Sequence, residues 1–179
     1  MIKSDGSVVA WGQNATVPSS LDGTVDATQI YSNGSNFVAL RTDGALVPLG
    51  NQSIDAATLA KLDGTIDVKT VSSTSDAFAA LRTDGSVVTW GNASYGGDSS
   101  AVASKLTNVT QIYSNGNAFA ALRADGSVVT WGNSSYGGDS SAVASKLTNV
   151  TQIYSNSSAF AALEKDGSVV TWGSSSDGG

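Results

Sequence analysis

Aspartate is the residue type whose spacing most suggests chemistry in this chain. Five Asp-Gly pairs lead into apolar runs, at Asp5, Asp43, Asp84, Asp125 and Asp166. Repeated carboxylates beside glycine occur in calcium-binding repeats, but those use a Gly-Gly-x-Gly-x-Asp spacing that these pairs lack. Asp-Gly between apolar runs is a strong β-hairpin signal instead. We therefore predict that Asp84-Gly85 and Asp125-Gly126 are structural turns without a metal.

Two other glycine-aspartate segments are weaker calcium candidates, Gly96-Gly97-Asp98 and Gly137-Gly138-Asp139. Aspartate is also a favoured residue at the start of a short helix, where its carboxylate accepts backbone hydrogen bonds. A loop with a helix cap explains both segments better than a metal site does. No metal ion and no cofactor is predicted.

The residue types present argue against an enzyme. Histidine and cysteine are both absent, which removes the usual general base, thiolate chemistry and the commonest zinc ligands. Serine is plentiful, but no Ser-x-x-Lys motif accompanies it. Pairs of aspartates could in principle hydrolyse glycosides, yet near-identical repeats give near-identical environments, whereas an acid and a base need separated pKa values. A carbohydrate-active enzyme is the least favoured of three function hypotheses.

Aromatic residues suggest binding or packing. Trp residues recur at one position of a repeat, where they could stack on sugars, but a core between repeats is the favoured interpretation; they are Trp11, Trp90, Trp131 and Trp172. Tyr95 and Tyr136 are flanked by serine and glycine, as rigid anchors of recognition loops often are. We predict that Tyr95, Asp98, Tyr136 and Asp139 contact a partner; the alternative is that each Tyr packs over its own loop.

These residues are set in a tandem repeat of about 41 residues. The Asp-Gly pairs are spaced 38, 41, 41 and 41 residues apart, and self-similarity on this scale is typical of solenoids and propellers. We predict one repeat domain over residues 1–179, with units 5–42, 43–83, 84–124 and 125–165 and a partial unit 166–179.

The pattern within a unit predicts an all-β fold. Val109–Tyr113 and Ala118–Leu122 are rich in β-branched, aromatic and small apolar residues and are expected to be inner strands. A type I′ turn at Asp125-Gly126 is expected to lead into a third strand ending at Trp131. The connection after it should contain one short helical turn, with a cap between Asp98 and Ser100. The connections of the first two units differ, and variable loops on a fixed frame often carry binding specificity.

The run Asp125–Asn133, preceded by Val109, Ile112 and Ala120-Ala121-Leu122, resembles the repeat of the regulator of chromosome condensation family. The first unit is similar to short bacterial repeats of this type, which include those of a secreted propeller-type inhibitor of β-lactamases. The resemblance implies a β-propeller that binds proteins through loops on one face. Five hairpin strands against four pairs of inner strands predict a partial or open propeller, or a ring completed by another copy.

Charge and hydropathy restrict the partners. The net charge is −6, with only nine Lys and Arg scattered along the chain, so no basic stripe exists to neutralise phosphates and nucleic acid is not an expected partner. No run of 18 apolar residues predicts membrane insertion, and the N-terminus lacks the pattern of a signal peptide.

We predict a non-enzymatic protein-binding or adhesive repeat module of an extracellular or cell-surface protein. The alternative is a structural segment of a larger ring or filament, which would self-associate. Eight Asn-x-(Ser/Thr) tripeptides are glycan acceptors if the chain enters a eukaryotic secretory pathway and polar loop residues otherwise; they begin at Asn14, Asn33, Asn51, Asn92, Asn108, Asn133, Asn149 and Asn156.

Overall fold

The structure, a computed structural model, describes residues 1–11, 16–50, 52 and 54–179. In these residues twelve strands form four antiparallel sheets of three strands each. Every sheet is built from consecutive strands, and we call the sheets blades 1 to 4. Their strands are β1 Ala27–Ser32, β2 Phe37–Arg41 and β3 Leu46–Leu49; β4 Val68–Ser73, β5 Ala77–Arg82 and β6 Val87–Gly91; β7 Val109–Ser114, β8 Ala118–Arg123 and β9 Val128–Gly132; and β10 Val150–Ser155, β11 Ala159–Glu164 and β12 Val169–Gly173.

Short helical turns occupy the connections. Blade 1 is followed by a single α-helical turn, α1 (Ala56–Leu59). The helical turn predicted after blades 2 and 3 is confirmed, in the 3₁₀ form, at Ser100–Lys105 and Ser141–Lys146. Further 3₁₀ turns lie at Ser19–Leu21, Ala93–Tyr95, Ser134–Tyr136 and Ser175–Asp177.

The middle strand of each blade explains why the sheets must stack. In β8 five consecutive residues, Ala118 to Leu122, are buried, so the strand is covered on both faces, as an apolar run without alternation predicts. The first strand carries a bulge between Val109 and Gln111. Thr110 lies at this bulge and donates its hydroxyl to the carbonyl of Leu122 at 3.0 Å. Bulges of this kind increase the local twist of a strand.

The Asp-Gly turn is a hairpin, but not of the predicted type. Gly126 has a φ of 78°, whereas the positive-φ residues other than glycine in the described part of the chain are Asn108 and Asn149, so Asp125 is not among them. The prediction of a type I′ turn, which needs positive φ at both central residues, is therefore wrong. The Gly126 amide donates to the carbonyl of Arg123 at 3.0 Å, and the Arg123 amide to that of Ser127 at 3.0 Å. This is a three-residue hairpin loop closed by a left-handed glycine, and Asp125 serves it as an acceptor.

The blades stack side by side around their first strands. Contacts join β1 to β4, β4 to β7 and β7 to β10. The hydroxyl of Ser73 donates to the carbonyl of Ser32 at 2.9 Å, and Ser155 does the same to Ser114 at 2.8 Å. Between successive blades lies an apolar core contributed by both, in three clusters. The fold is an open or partial, propeller-like array.

The sequence units and the blades are out of phase. Each unit begins at a hairpin turn, so it gives its first strand to one blade and its next two strands to the following blade. The first unit accordingly opens with an outer segment ahead of blade 1, where Val8 pairs with Ile2. Val8 and Leu21 pack with Ala39 and Leu49 and cover the outer side of blade 1.

Candidate binding surface

The blades have two ends with different connections. The turns between the first and second strands lie at one end, which we call the loop face, at residues 33–36, 74–76, 115–117 and 156–158. The Asp-Gly turns lie at the opposite end, the hairpin face. The chain returns to the loop face after each third strand, as shown by the Asn92 amide, which donates to the carbonyl of Asp76 at 2.9 Å.

Two tight loops follow β6 and β9 on the loop face. We call residues 95–97 and 136–138 the Tyr-Gly-Gly loops. A 3₁₀ turn, Ala93–Tyr95, leads into the first loop, and Asn92 caps this turn by accepting the Ser94 amide at 2.9 Å. The turn is closed at its C-terminal side by Gly96, whose φ is 92°. A Cβ on Gly96 would lie 2.6 Å from Cδ2 of Phe119, so both conformation and space require glycine there.

Side chains from two blades fix the backbone of these loops. Thr74, in the strand turn of the same blade, donates to the carbonyl of Tyr95 at 2.9 Å. Trp131 of the next blade donates its Nε1–H to the carbonyl of Gly96 at 3.0 Å. The second loop repeats the arrangement, with Asn115 bonded to Tyr136 at 2.8 Å and Trp172 bonded to Gly137 at 3.1 Å. A loop held in this way loses little conformational entropy on binding.

The predicted partner-contacting residues lie in these connections. Tyr95 and Tyr136 are half-buried, and Tyr95 packs against the core between blades 2 and 3. Asp98 and Asp139 are exposed, and each accepts a backbone amide two residues on, at 2.8 and 2.9 Å. The structure thus brings one Tyr and one Asp together in each of two adjacent connections. Contact with a partner stays a prediction for all four.

Three of the four tryptophans are structural. Trp90, Trp131 and Trp172 are 4–5% exposed. Each stacks on a phenylalanine of its own blade, with ring centroids 5.1–5.3 Å apart. Trp90, for example, packs among Val38 and Leu46 of blade 1. The favoured interpretation, a core between repeats, is confirmed for these three.

Trp11 is the exception, because its side chain is 73% exposed. The predicted core role is wrong for this residue. Each buried Trp stacks on the Phe that lies twelve residues earlier, as Trp131 does on Phe119. Among the described residues no phenylalanine stacks on the Trp11 ring.

The Asp-Gly turns of the hairpin face are held by local hydrogen bonds and by a close approach of the next blade. Gly85 has a φ of 78°, and a Cβ there would lie 3.1 Å from Cα of Asn108 in the next blade's entry. The Ser86 hydroxyl, followed by the Ser86 amide, donates to Asp84 and lowers the pKa of that carboxyl below its usual value. Ser127 lowers the pKa of Asp125 by the same two hydrogen bonds.

Charged groups on the hairpin face are largely paired. Arg41, Arg82 and Arg123 approach the aspartates two residues on, at N–O distances of 2.6, 3.8 and 3.1 Å. In the part of the chain that the structure describes, no group of three or more Asp, Glu, His or Cys residues is placed to hold a metal ion. Nor is any helix there long and apolar enough to span a membrane.

One set of functional positions escaped the sequence prediction. Asn115 and Asn156 accept two backbone amides within their strand turns and donate Nδ2–H to the following loop. Thr74 takes this place in blade 2 and Asn33 in blade 1. The signal was present as a Ser-Asn pair that recurs with the 41-residue period, at 114–115 and 155–156.

The Asn-x-(Ser/Thr) tripeptides fall in several environments. Asn108 and Asn149 adopt a φ of 53° at the entry to a blade, a left-handed conformation that asparagine tolerates better than most residues. Asn92 and Asn133 cap the 3₁₀ turns of the Tyr-Gly-Gly loops. Asn14 and Asn51 lie outside the described residues.

Comparison with known proteins agrees with this geometry. Residues 109–137, which run from β7 to the second Tyr-Gly-Gly loop, match the family model "Regulator of chromosome condensation (RCC1) repeat". No curated protein sequence matches the chain.

Solved structures share the fold at low sequence identity. Prp20p of Saccharomyces cerevisiae is 17% identical over 86% of this chain and 45% of its own length, with a TM-score of 0.55. The CRINKLY ectodomain of the Arabidopsis thaliana receptor kinase ACR4 is 18% identical over 96% of this chain and 65% of its own, also at 0.55. Human WBSCR16 is 20% identical over 84% of this chain and 48% of its own length, with a TM-score of 0.54.

The chain thus spans less than two thirds of each of these three structures. The likeness lies in the fold of the blades, because sequence identities below 25% support an inference about the fold alone. The family match falls on one repeat, and that repeat recurs in near-identical form in the following unit. The chain is an open or partial β-propeller, and its residues 109–137 match a repeat of the regulator of chromosome condensation type.

Proposed function

We propose that the chain is a non-enzymatic protein-binding module that contacts its partner through the loop face. The observation that carries the proposal is the pair of Tyr-Gly-Gly loops on adjacent blades, each with its backbone fixed by hydrogen bonds from two blades. Fixed loops that present half-exposed tyrosines suit protein recognition, since tyrosine offers contact area at low entropic cost.

The structural neighbours support a protein partner. Prp20p of Saccharomyces cerevisiae, which is yeast RCC1, binds Gsp1p, histones and Kap60. Those interactions belong to a protein of which this chain spans less than half. What this chain shares with it is the frame of blades. We carry over the binding of a protein partner and none of the partners themselves.

The place of action in this proposal is outside the cell or on its surface, where the module would act in adhesion. Support comes from the composition: only 13% of residues are charged, and the polar residues are mainly Ser, Thr and Asn. Protease treatment of intact cells, followed by immunoblotting for the chain, tests the location. Protection from protease on intact cells and digestion only after lysis would contradict it.

The loops can be tested with matched tyrosine variants. The chain carrying Tyr95→Ala and Tyr136→Ala is compared with Tyr154→Ala, which removes a tyrosine that is 61% exposed on β10. Partners captured from a surface extract are identified by mass spectrometry, and binding is then measured with the purified partner. We expect the double variant to weaken binding at least tenfold and Tyr154→Ala to leave it unchanged. Equal affinity of all three proteins would refute the loop assignment.

A second function is favoured by the exposed side of blade 4. Val169 is 61% exposed, whereas its counterparts Val87 and Val128 pack into the core of the next blade. The same surface that joins blades within the chain is therefore open here, which supports a structural segment of a larger ring. Sedimentation equilibrium of the chain and of Val169→Lys tests it. A monomer at all concentrations would count against this role.

A further inference from the structure

The groove between blades 1 and 2 differs from the two that follow it. In the later grooves a Tyr-Gly-Gly loop covers the stacked Phe and Trp rings of the next blade. Between blades 1 and 2 a cleft of about 290 Å³ lies over the equivalent rings, Phe78 and Trp90. Its polar lining includes Asn33, Asn36 and Asp76. We call this the blade 1–2 cleft.

The cleft is open because the connection after blade 1 takes another course. With the 41-residue spacing, Ile54 and Asp55 stand where Tyr95 and Gly96 stand one unit later. Asp55 has a φ of −67° and caps α1 by accepting the Thr58 amide at 2.9 Å. Gly96 instead has a φ of 92° and lies so close to the Phe119 ring that a Cβ would clash. A connection that starts a helix at Asp55 therefore cannot fill the cleft as the loop does.

Two hydrogen-bond donors are left over in this place. The Nδ2 of Asn33 and the Nε1 of Trp90 are buried and have no partner among the described residues. Their counterparts donate to successive carbonyls of the second Tyr-Gly-Gly loop: Asn115 to the Tyr136 carbonyl and Trp172 to the Gly137 carbonyl. Trp90 is only 5% exposed. Buried donors without partners are rare, because each costs free energy.

We propose that the blade 1–2 cleft binds a glycine-containing peptide loop of a protein partner. The peptide presents two successive backbone carbonyls, the first to Asn33 Nδ2 and the second, on a glycine, to Trp90 Nε1. Asn36, Asn92 and the carboxylate of Asp76 line the cleft and meet the peptide's N–H groups and polar side chains. This inference rests on the proposed function, since it assigns a site and a ligand class to the protein-binding module.

The occupant is small and must open the rim. A volume near 290 Å³ lies at the lower end of ligand-binding clefts, which suits the backbone of two or three residues, one of them glycine. Gln52 also lines the cleft, and its Nε2 donates to the carbonyls of Phe37 and Leu49 in blade 1. Rotation of Gln52 away from these carbonyls is the movement that admits the peptide carbonyls to the two buried nitrogens.

The probe for the test is a capped synthetic peptide with the sequence of residues 133–139, Asn-Ser-Ser-Tyr-Gly-Gly-Asp. It is titrated into the ¹⁵N-labelled chain while the tryptophan indole N–H resonances are followed. We expect the Trp90 resonance to shift and those of Trp131 and Trp172 to stay, because their N–H groups are already bonded within the chain. Trp90→Phe, which keeps the ring stack, should weaken binding about tenfold, and Trp11→Phe, which changes a tryptophan that is 73% exposed, should leave it unchanged.

Two further experiments can refute the proposal, one with a second variant and one with a second peptide. Asn33→Asp keeps the acceptor that the turn needs and removes the Nδ2 donor, so it should also weaken binding and serves if Trp90→Phe does not fold. A peptide with alanine at the first glycine should not bind, because its Cβ would meet the Phe78 ring. The proposal is overturned if the Trp90 resonance does not move, if all three resonances move equally, or if the alanine peptide binds as well.

The outcomes also distinguish failure of the cleft proposal from failure of the proposed protein-binding function. If the tyrosine variants lose the partner but the peptide leaves Trp90 unaffected, the cleft is wrong and the protein-binding function stands. If the peptide binds at Trp90 while no purified partner binds the loop face, the cleft stands and the loop assignment fails.

Discussion

The blade 2–3 groove and the blade 1–2 cleft are built on the same strands and differ in what covers them. In the first, Gly96 lies against the Phe119 and Trp131 rings and accepts the indole N–H. In the second, the equivalent N–H of Trp90 has no partner among the described residues and a cleft remains. One connection thus decides whether a groove between blades is part of the core or an accessible surface.

Both connections nevertheless solve the same packing problem. Each places one leucine in the core, Leu62 at 1% exposure after blade 1 and Leu106 at 3% after blade 2. An aspartate that accepts a backbone amide also precedes each helical turn: Asp55 is the N-cap of α1, and Asp98 lies one residue before the N-cap Ser99. Because these anchors suffice to hold the connection, the residues between them are free to differ without loss of the frame.

The largest effect should come from removing the ring that the closed groove covers. Trp131→Ala is expected to lower the free energy of unfolding by about 3–5 kcal/mol, since it deletes a buried aromatic side chain and leaves a cavity. Trp11→Ala, at the same repeat position but 73% exposed, should change it by less than about 0.5 kcal/mol. Urea unfolding of both variants measures the difference. Similar losses would show that Trp11 is packed after all.

A smaller effect should come from the glycine that lets the loop close the groove. Gly96→Ala is expected to lower the free energy of unfolding by about 1–2 kcal/mol because of its left-handed φ. The contact with Phe119 should lower it by about 1–3 kcal/mol more. Gly167→Ala is the matched control, because Gly167 has a φ of 88° but no atom within 4 Å of its Cβ position. This control should show only the loss that comes from the left-handed φ. Thermal unfolding of the two variants compares them, and equal shifts would exclude the contact as a cause.

The asparagines of the two grooves give a finer comparison. Asn115→Ala removes a hydrogen bond to the Tyr136 carbonyl and two accepted amides. Asn33→Ala removes two accepted amides only, because its Nδ2 has no partner among the described residues. We expect Asn115→Ala to be the more destabilising by about 0.5–1.5 kcal/mol, the usual net value of one hydrogen bond. Equal losses in urea unfolding would mean that the loop bond adds nothing.

The frame was accessible from the sequence because its causes are local and repeated. Asp125-Gly126 marks a hairpin, and the unbroken apolar run from Ala118 marks a strand buried on both sides. Contacts between repeats were not accessible in this way. Trp11 is exposed although it stands at the repeat position of three buried tryptophans. Gly126 has a positive φ and Asp125 does not, a difference that the Asp-Gly pair alone does not reveal. The open cleft appears only when the position of Asp55 is compared with that of Gly96 in three dimensions.

The smallest predicted effect concerns acid, and it tests whether the two connections are equally anchored. A hydrogen bond from the Thr58 hydroxyl lowers the pKa of Asp55, and one from the Ser100 amide lowers that of Asp98. The unfolded chain, with ordinary carboxyl pKa values near 3.9, therefore takes up protons first as the pH falls. The stability that these carboxylates add is complete above about pH 5 and is lost as the pH drops through their folded-state pKa values.

Melting temperatures between pH 7 and pH 2 measure this loss. Asp55→Asn and Asp98→Asn keep a capping oxygen but cannot take up a proton, so each should leave stability at pH 7 almost unchanged and make the decline in acid less steep. Because both carboxylates are exposed, the two changes should be small and alike. A flatter decline for one variant alone would show that only that connection is anchored by its aspartate, and the different courses of the two connections would then have an electrostatic as well as a steric origin.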